Sequence, residues 1–120
     1  MDIKELAHEL VAGCRQGHAK ENLEKLYAQD AVSVEAMDQG AGREVRGLDA
    51  IRGKHEWWEN AMKVTGSTIS DPMIHGDDRF AVIFEMQGKE KDSGKAFDMK
   101  EVAVYHARDG KIVREEFFYA

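Results

Sequence analysis

The sequence predicts an α+β fold, and two observations carry that prediction. Helical periodicity is confined to the first half of the chain, and alternating apolar patterns fill the second half without interleaving. The 120 residues suit one domain spanning residues 1–120, since single cores typically run to about 100–150 residues. No repeat, low-complexity tract or linker divides the chain.

Ile3, Leu6, Ala7, Leu10, Val11 and Cys14 recur at the spacings of one helical face. Asp2 is placed to cap that helix, with Glu5 at its third position and Gly17 as its stop. Leu23, Leu26 and Tyr27 mark a second, shorter helix. At Asp30 the apolar period changes from helical to alternating, so Ala31 to Val34 reads as a strand. Glu35 shares its side of that strand with Ser33 and Met37, opposite Val32, Val34 and Ala36. Gln39 to Gly42 reads as a flexible turn and Arg43 to Arg46 as a short strand. A third helix opens at Gly47 to Ile51 and carries Leu48, Ile51, His55, Trp58 and Met62 along one face. Gly66 and its β-branched neighbours end it.

From Val64 onward the pattern is strand. Pro72 interrupts the run from Ser67 to His75, which marks an edge or a bulge. Phe80 to Gln87 alternates, with Phe80, Val82, Phe84 and Met86 on one face. Lys89 to Lys95 is a polar turn, Phe97 to His106 a strand, Arg108 to Gly110 a hairpin signal, and Ile112 to Tyr119 the closing strand. In the strand from Phe97 to His106, Phe97, Met99, Glu101, Ala103 and Tyr105 share one face. Lys100, Val102 and Val104 share the other, and two valines there imply that the outer face is covered as well. The helices are too few to cover both faces, so a homodimer through the outer sheet face is expected.

Composition excludes several partners. The formal net charge of −6 and the scattered basic residues argue against nucleic acid and against an anionic membrane. No apolar run approaches the roughly 18 residues of a membrane-spanning helix. The N-terminal segment MDIKELAHEL is amphipathic and has no signal-peptide core. A single cysteine, Cys14, excludes an internal disulfide and suits a reducing, cytoplasmic setting. On its apolar stripe that thiol acts as a small hydrophobe. His75, Asp77 and Asp78 cluster around a tight turn without metal-ligand spacing, and no phosphate loop or nucleophile elbow is present. No metal and no cofactor are expected.

Four segments carry a resemblance: Leu26 to Ala31 (LYAQDA), Gly47 to Arg52 (GLDAIR), Phe84 to Gly88 (FEMQG) and Asp109 to Val113 (DGKIV). With the spacing between them, the chain resembles the SnoaL-like and ketosteroid-isomerase-like members of the nuclear transport factor two superfamily. The resemblance implies a cone-shaped α+β barrel, with the helices packed in a strongly curved, mostly antiparallel sheet around an apolar interior. It places Glu35 where ketosteroid isomerases keep a general base and Glu101, four residues ahead of Tyr105, where they keep a protonated oxyanion donor. It also implies a pocket lined by Phe80, Val82, Phe84 and Met86 on one strand and by Glu115, Phe117 and Tyr119 on the last. The family's donor tyrosine on the first helix falls near Leu10, so that donor is missing.

Two carboxyls in an apolar cavity would each have a raised pKa, and together they could share one proton as acid and base. Ketosteroid isomerase itself divides its two carboxyls in this way, one kept neutral as donor and one acting as base. The catalytic set expected here is therefore Glu35, Glu101 and His55, with Leu10, Trp58, Met62, Met99 and the residues named above lining the pocket. Several features also have plainer explanations. The carboxylates can face solvent or pair with basic residues, and His55 can be a hydrogen-bonded core histidine. Tyr105 and Tyr119 can replace the missing donor, though aromatics on such strands are more often core or interface. Trp57 points away from Trp58, toward the mouth or an interface. Glu115 faces the interior in one register, while another exposes it and buries Phe118.

Three functions remain open at this point. One is a cofactor-independent isomerase, cyclase or dehydratase acting on a small apolar carbonyl compound. Another is a non-catalytic binding module, favoured if Glu35 proves paired with an arginine. The third is an assembly domain with a filled cone. A cavity of order 300 Å³ or more separates the first two from the third.

Overall fold

The first helix, α1 (Ile3–Arg15), begins at its expected cap, where the Glu5 amide donates to Asp2 Oδ1 at 2.8 Å. This computed structural model describes residues 1–38, 40 and 42–119. Leu6, Ala7, Leu10 and Val11 form the buried stripe of α1. In α2 (Ala19–Leu26), Leu23 and Leu26 are buried, and Asn22 Nδ2 donates to the Leu10 carbonyl at 3.1 Å. That bond ties the two helices together.

The second helix stops at Leu26, and Tyr27 is already extended (φ −101°, ψ 147°). It opens β1 (Tyr27–Val34), so the strand starts ahead of the expected Ala31. An aromatic ring gains more on the pleated inner surface of a sheet than at a helix end, and Tyr27 is buried there. In the expected turn, the Gly40 and Gly42 amides donate to Asp38 Oδ1 at 2.8 and 2.9 Å, while Gln39 and Ala41 lie outside the described residues. After β2 (Glu44–Arg46), Gly47 takes φ 94°, a conformation that favours glycine, and turns the chain into α3 (Leu48–Ala61).

This helix also ends sooner than expected. Met62 is extended and begins β3 (Met62–Ile69), so the run to Gly66 is strand rather than helix. The β-branched pair Val64 and Thr65 favours the ladder with β5, and Gly66 follows a shift of register in that ladder. Pro72 separates β3 from the short edge strand β4 (Met73–His75). Three longer strands follow: β5 (Arg79–Glu90), β6 (Ala96–Arg108) and β7 (Lys111–Phe118). Asp109 (φ 53°) and Gly110 (φ 76°) form the tight turn between the last two.

The sheet runs β2-β1-β7-β6-β5-β3, with β4 also pairing β5. Every pairing is antiparallel except β1 with β7, which is parallel. The sheet curves around the helices but does not close, so the expected barrel is an open cone with β2 and β3 at its edges. Leu6, Leu10, Leu23, Leu26, Ile51 and Ile112 pack between helices and sheet. Phe80 and Val82, expected to line the pocket, belong instead to this core, at 1% and 0% exposure. The first helix packs across that end of β5 and fills the narrow end of the cone. There Phe80 stacks on Tyr105 with ring centroids 4.9 Å apart.

Candidate functional site

The wide end of the cone is not filled. A cavity of about 870 Å³ opens between α1, α3 and the inner face of the sheet. Leu10, Trp58, Met62, Phe84, Met86 and Met99 supply apolar wall. Glu35, His55, Glu101, Glu115, Phe117 and Tyr119 line it as well, so the cavity gathers every expected site residue except Phe80 and Val82. Trp57 stands at its mouth, 59% exposed. Among the described residues, no group of three or more His, Cys, Asp or Glu side chains is arranged to hold a metal ion.

Glu115 settles the register of the last strand. It is 2% exposed and faces inward opposite Tyr105, while Phe118 is 48% exposed on the outer face. A carboxyl so deep needs donors, and it has two. Ser33 Oγ donates to Glu115 Oε2 at 2.7 Å, and the Tyr27 hydroxyl donates to Oε1. The parallel pairing of β1 with β7 makes this possible, because it sets Ser33 directly against Glu115. Burial, followed by the charge of Glu115, pushes the Tyr27 pKa well up, so the phenol remains a donor.

Glu35 does not sit among apolar neighbours. Lys54 Nζ lies 2.6 Å from its Oε1, and the Tyr119 hydroxyl donates to Oε2 at 3.0 Å. Lys54 Nζ also donates to Ser33 Oγ at 2.7 Å, and it sits 5.4 Å from the centroid of the Phe117 ring. One ammonium therefore links Glu35 to the Ser33–Glu115 pair. Tyr119 is pushed up to about 12, first by burial and then by its bond to Glu35.

Glu101 differs from both. It lies opposite Phe84 in the ladder, and among the described residues no side chain donates to it or pairs with it. Burial first, then the nearby charges of Glu35 and Glu115, raise its pKa from 4.5 to about 7, while Lys54 opposes the shift. His55 shifts the other way. Burial lowers its pKa from 6.5, against the pull of Glu115, so the imidazole is mostly neutral at pH 7.

Sequence reasoning missed Lys54, Ser33 and Tyr27 as members of the site. Lys54 falls three residues after Ile51, on the inner face of α3, and that spacing was a usable signal. Tyr27 lies before a shift of register in the β1–β7 ladder, so alternation counted back from Glu35 through Ser33 does not reach it. Tyr27→Phe and Ser33→Ala each leave Glu115 short of a donor. Each substitution is expected to lower unfolding free energy by about 1.5–3 kcal/mol in urea titration; an unchanged midpoint would mean that the carboxyl is held by something else.

A curved open sheet wrapped around helices, with a cavity at its wide end, defines the nuclear transport factor two-like class of fold. The chain matches the SnoaL-like domain over residues 1–119 and belongs to that family. It is 34% identical to a SnoaL-like protein from Mesorhizobium loti, provisionally described as a polyketide cyclase. That match covers 99% of this chain and 100% of the other, with a TM-score of 0.92. A nuclear transport factor two-like protein from Burkholderia thailandensis shares the fold at 17% identity and a TM-score of 0.84, over 100% of this chain and 92% of the other. A Mycobacterium tuberculosis protein solved in complex with estradiol-17β-hemisuccinate shares it at 19% identity and a TM-score of 0.76, over 100% and 95% of the two chains. No curated protein matches the chain.

Proposed function

We propose that this SnoaL-like domain binds a small, largely apolar molecule in the cone and moves a proton on it by carboxyl chemistry, as an isomerase, cyclase or dehydratase needing no cofactor. The observation that carries this reading is Glu101, a carboxyl in the cavity wall with no partner among the described residues, its pKa pushed up to about 7 by burial. A group balanced in that way accepts a proton from carbon when ionised and returns one when neutral. The expected division of labour between the two glutamates changes. Glu35 is held by Lys54 and Tyr119, which compete with any proton it would accept, so it serves as an anchor and Glu101 as the proton carrier. Neutral His55 and the Tyr119 hydroxyl are among the cavity groups able to touch a polar atom of the substrate. The cavity volume speaks against an assembly domain with a filled cone, and the steroid derivative held by the Mycobacterium tuberculosis protein agrees with a small-molecule ligand.

A test that needs no native substrate is deuterium exchange at the carbon beside the carbonyl of 2-tetralone, followed by NMR in heavy water. Exchange above the buffer rate, lost in Glu101→Gln, is the expected result. Exchange that is absent, or indifferent to that substitution, overturns the catalytic reading. The Lys54–Glu35 pair favours a second reading, a binding module without chemistry, and that module would bind ligand while giving no exchange.

The protein is further proposed to act as a cytoplasmic homodimer. No helix of the described residues is long and apolar enough to cross a membrane, and its one cysteine is free. Ile83, Val102 and Phe118 are cross-strand neighbours on the outer face of the sheet, with Val104 beside them. Phe118 is exposed on that face and the other three are half-buried, which leaves apolar surface for a second copy to cover. Sedimentation equilibrium is expected to give twice the chain mass, falling to a single chain in Val104→Glu. A monomer at micromolar concentration would refute the dimer.

A further inference from the structure

We propose that the molecule held in the cone carries a basic nitrogen, bound as an ammonium group against Glu101 between the rings of Phe84 and Tyr119. This rests on the small-molecule reading above and names the class of ligand. The charges that line the cavity do not balance. Glu35, Glu59, Glu101 and Glu115 line it, Glu59 paired with Lys20, and Lys54 is the one ammonium that reaches into it among the described residues. Lys54 is already engaged between Glu35 and Ser33. Arg43, at the rim, turns its guanidinium to the Glu35 carbonyl and to Glu116. His55 is mostly neutral at pH 7. A neutral ligand leaves the excess of negative charge in place, an anion adds to it, and a cation cancels it.

The walls suit such a cation. Phe84 is the cross-strand neighbour of Glu101 on β5, and Tyr119, just beyond β7, lies close enough to feel its charge. The face of an aromatic ring attracts an ammonium group, the more so where water is excluded. Lys54 over the Phe117 ring shows this cavity already seating one cation in that manner. With the ligand's charge beside it, Glu101 is held ionised.

The groups facing Glu101 fix the expected pH dependence. They are Glu35 beyond β1, Lys54 on α3, Glu115 and Tyr119 on and beyond β7, and Tyr105 on its own strand. Both tyrosines have raised pKa values and stay neutral, so ionisation of Glu101 governs the window around pH 7.

The test compares three cage compounds of nearly equal shape, 1-adamantylamine, 1-adamantanol and adamantane-1-carboxylate, by titration calorimetry. The amine is expected to bind about tenfold tighter than the alcohol, and the carboxylate weakest. Amine affinity should rise between about pH 6 and pH 8, with protons released on binding, as read from buffers of different ionisation enthalpy. In Glu101→Gln the amine and the alcohol should bind alike. An alcohol that binds the wild-type protein as tightly as the amine overturns the proposal while leaving the small-molecule cavity standing. Amine preference that survives in Glu101→Gln overturns it too. If none of the three binds, both readings fall.

Discussion

Glu101→Gln is expected to slow exchange of 2-tetralone protons by about 10²–10⁴-fold, the usual contribution of a positioned acid or base. The same substitution should make the fold more stable above neutral pH. In the unfolded chain this carboxyl titrates near 4.5, and in the fold near 7. A raised folded pKa contributes stability that is fully present below about pH 4.5 and is lost as pH rises through about 7. The ionised group thus costs the fold about 3 kcal/mol at alkaline pH. Glutamine removes that cost without changing the shape. Urea titrations of both proteins at pH 5 and pH 8 should therefore diverge far more at pH 8 than at pH 5, with the variant the more stable. In the wild type, exchange should rise with pH through about 7 as the base form accumulates. A pH-independent rate, or a variant less stable at pH 8, would contradict the assignment.

Phe80→Ala is expected to lower unfolding free energy by about 3–5 kcal/mol, measured in urea or by thermal melting. The ring is 1% exposed, stacked on Tyr105 and packed under the first helix, so its removal leaves a void that rigid neighbours cannot fill. Domains of this size are stable by only about 5–15 kcal/mol, so the variant should be marginal at body temperature. Phe84→Ala is the control. Phe84 borders an existing cavity, and its truncation enlarges a space already open, at smaller cost. Similar losses for the two would mean that the cone is packed at both ends.

The elements were legible wherever one period held for many residues. The stripe of the first helix, the alternation of β5 and the turn at Asp109 and Gly110 all stand as expected. The two misplaced boundaries, at Tyr27 and Met62, share a cause. In each case a helix runs into a strand without a loop, and one large residue fits the pattern of both. The site was legible in position and obscure in partnership. Alternation could set Glu35, Glu101 and Glu115 on an inner face, but it could not reveal which acquires a cation. That depends on Lys54, which reaches Glu35 from another element, and on the parallel contact of β1 with β7. Phe80 and Val82 share alternation with Phe84 and Met86, and only the course of the first helix separates core from cavity.

The parallel contact of β1 with β7 also has a consequence for how the molecule is made. Tyr27 and Ser33 find Glu115 more than 80 residues further along the chain, so the partners on one side of the cavity are synthesised long before the group they hold. Helices can form early on the ribosome, whereas this seam waits for the last strand to emerge. Until then the apolar inner faces have no complete shelter, and β1 presents an open edge toward any passing strand. The geometry that assembles the candidate site therefore also sets its period of greatest exposure to misassembly, before the seam closes.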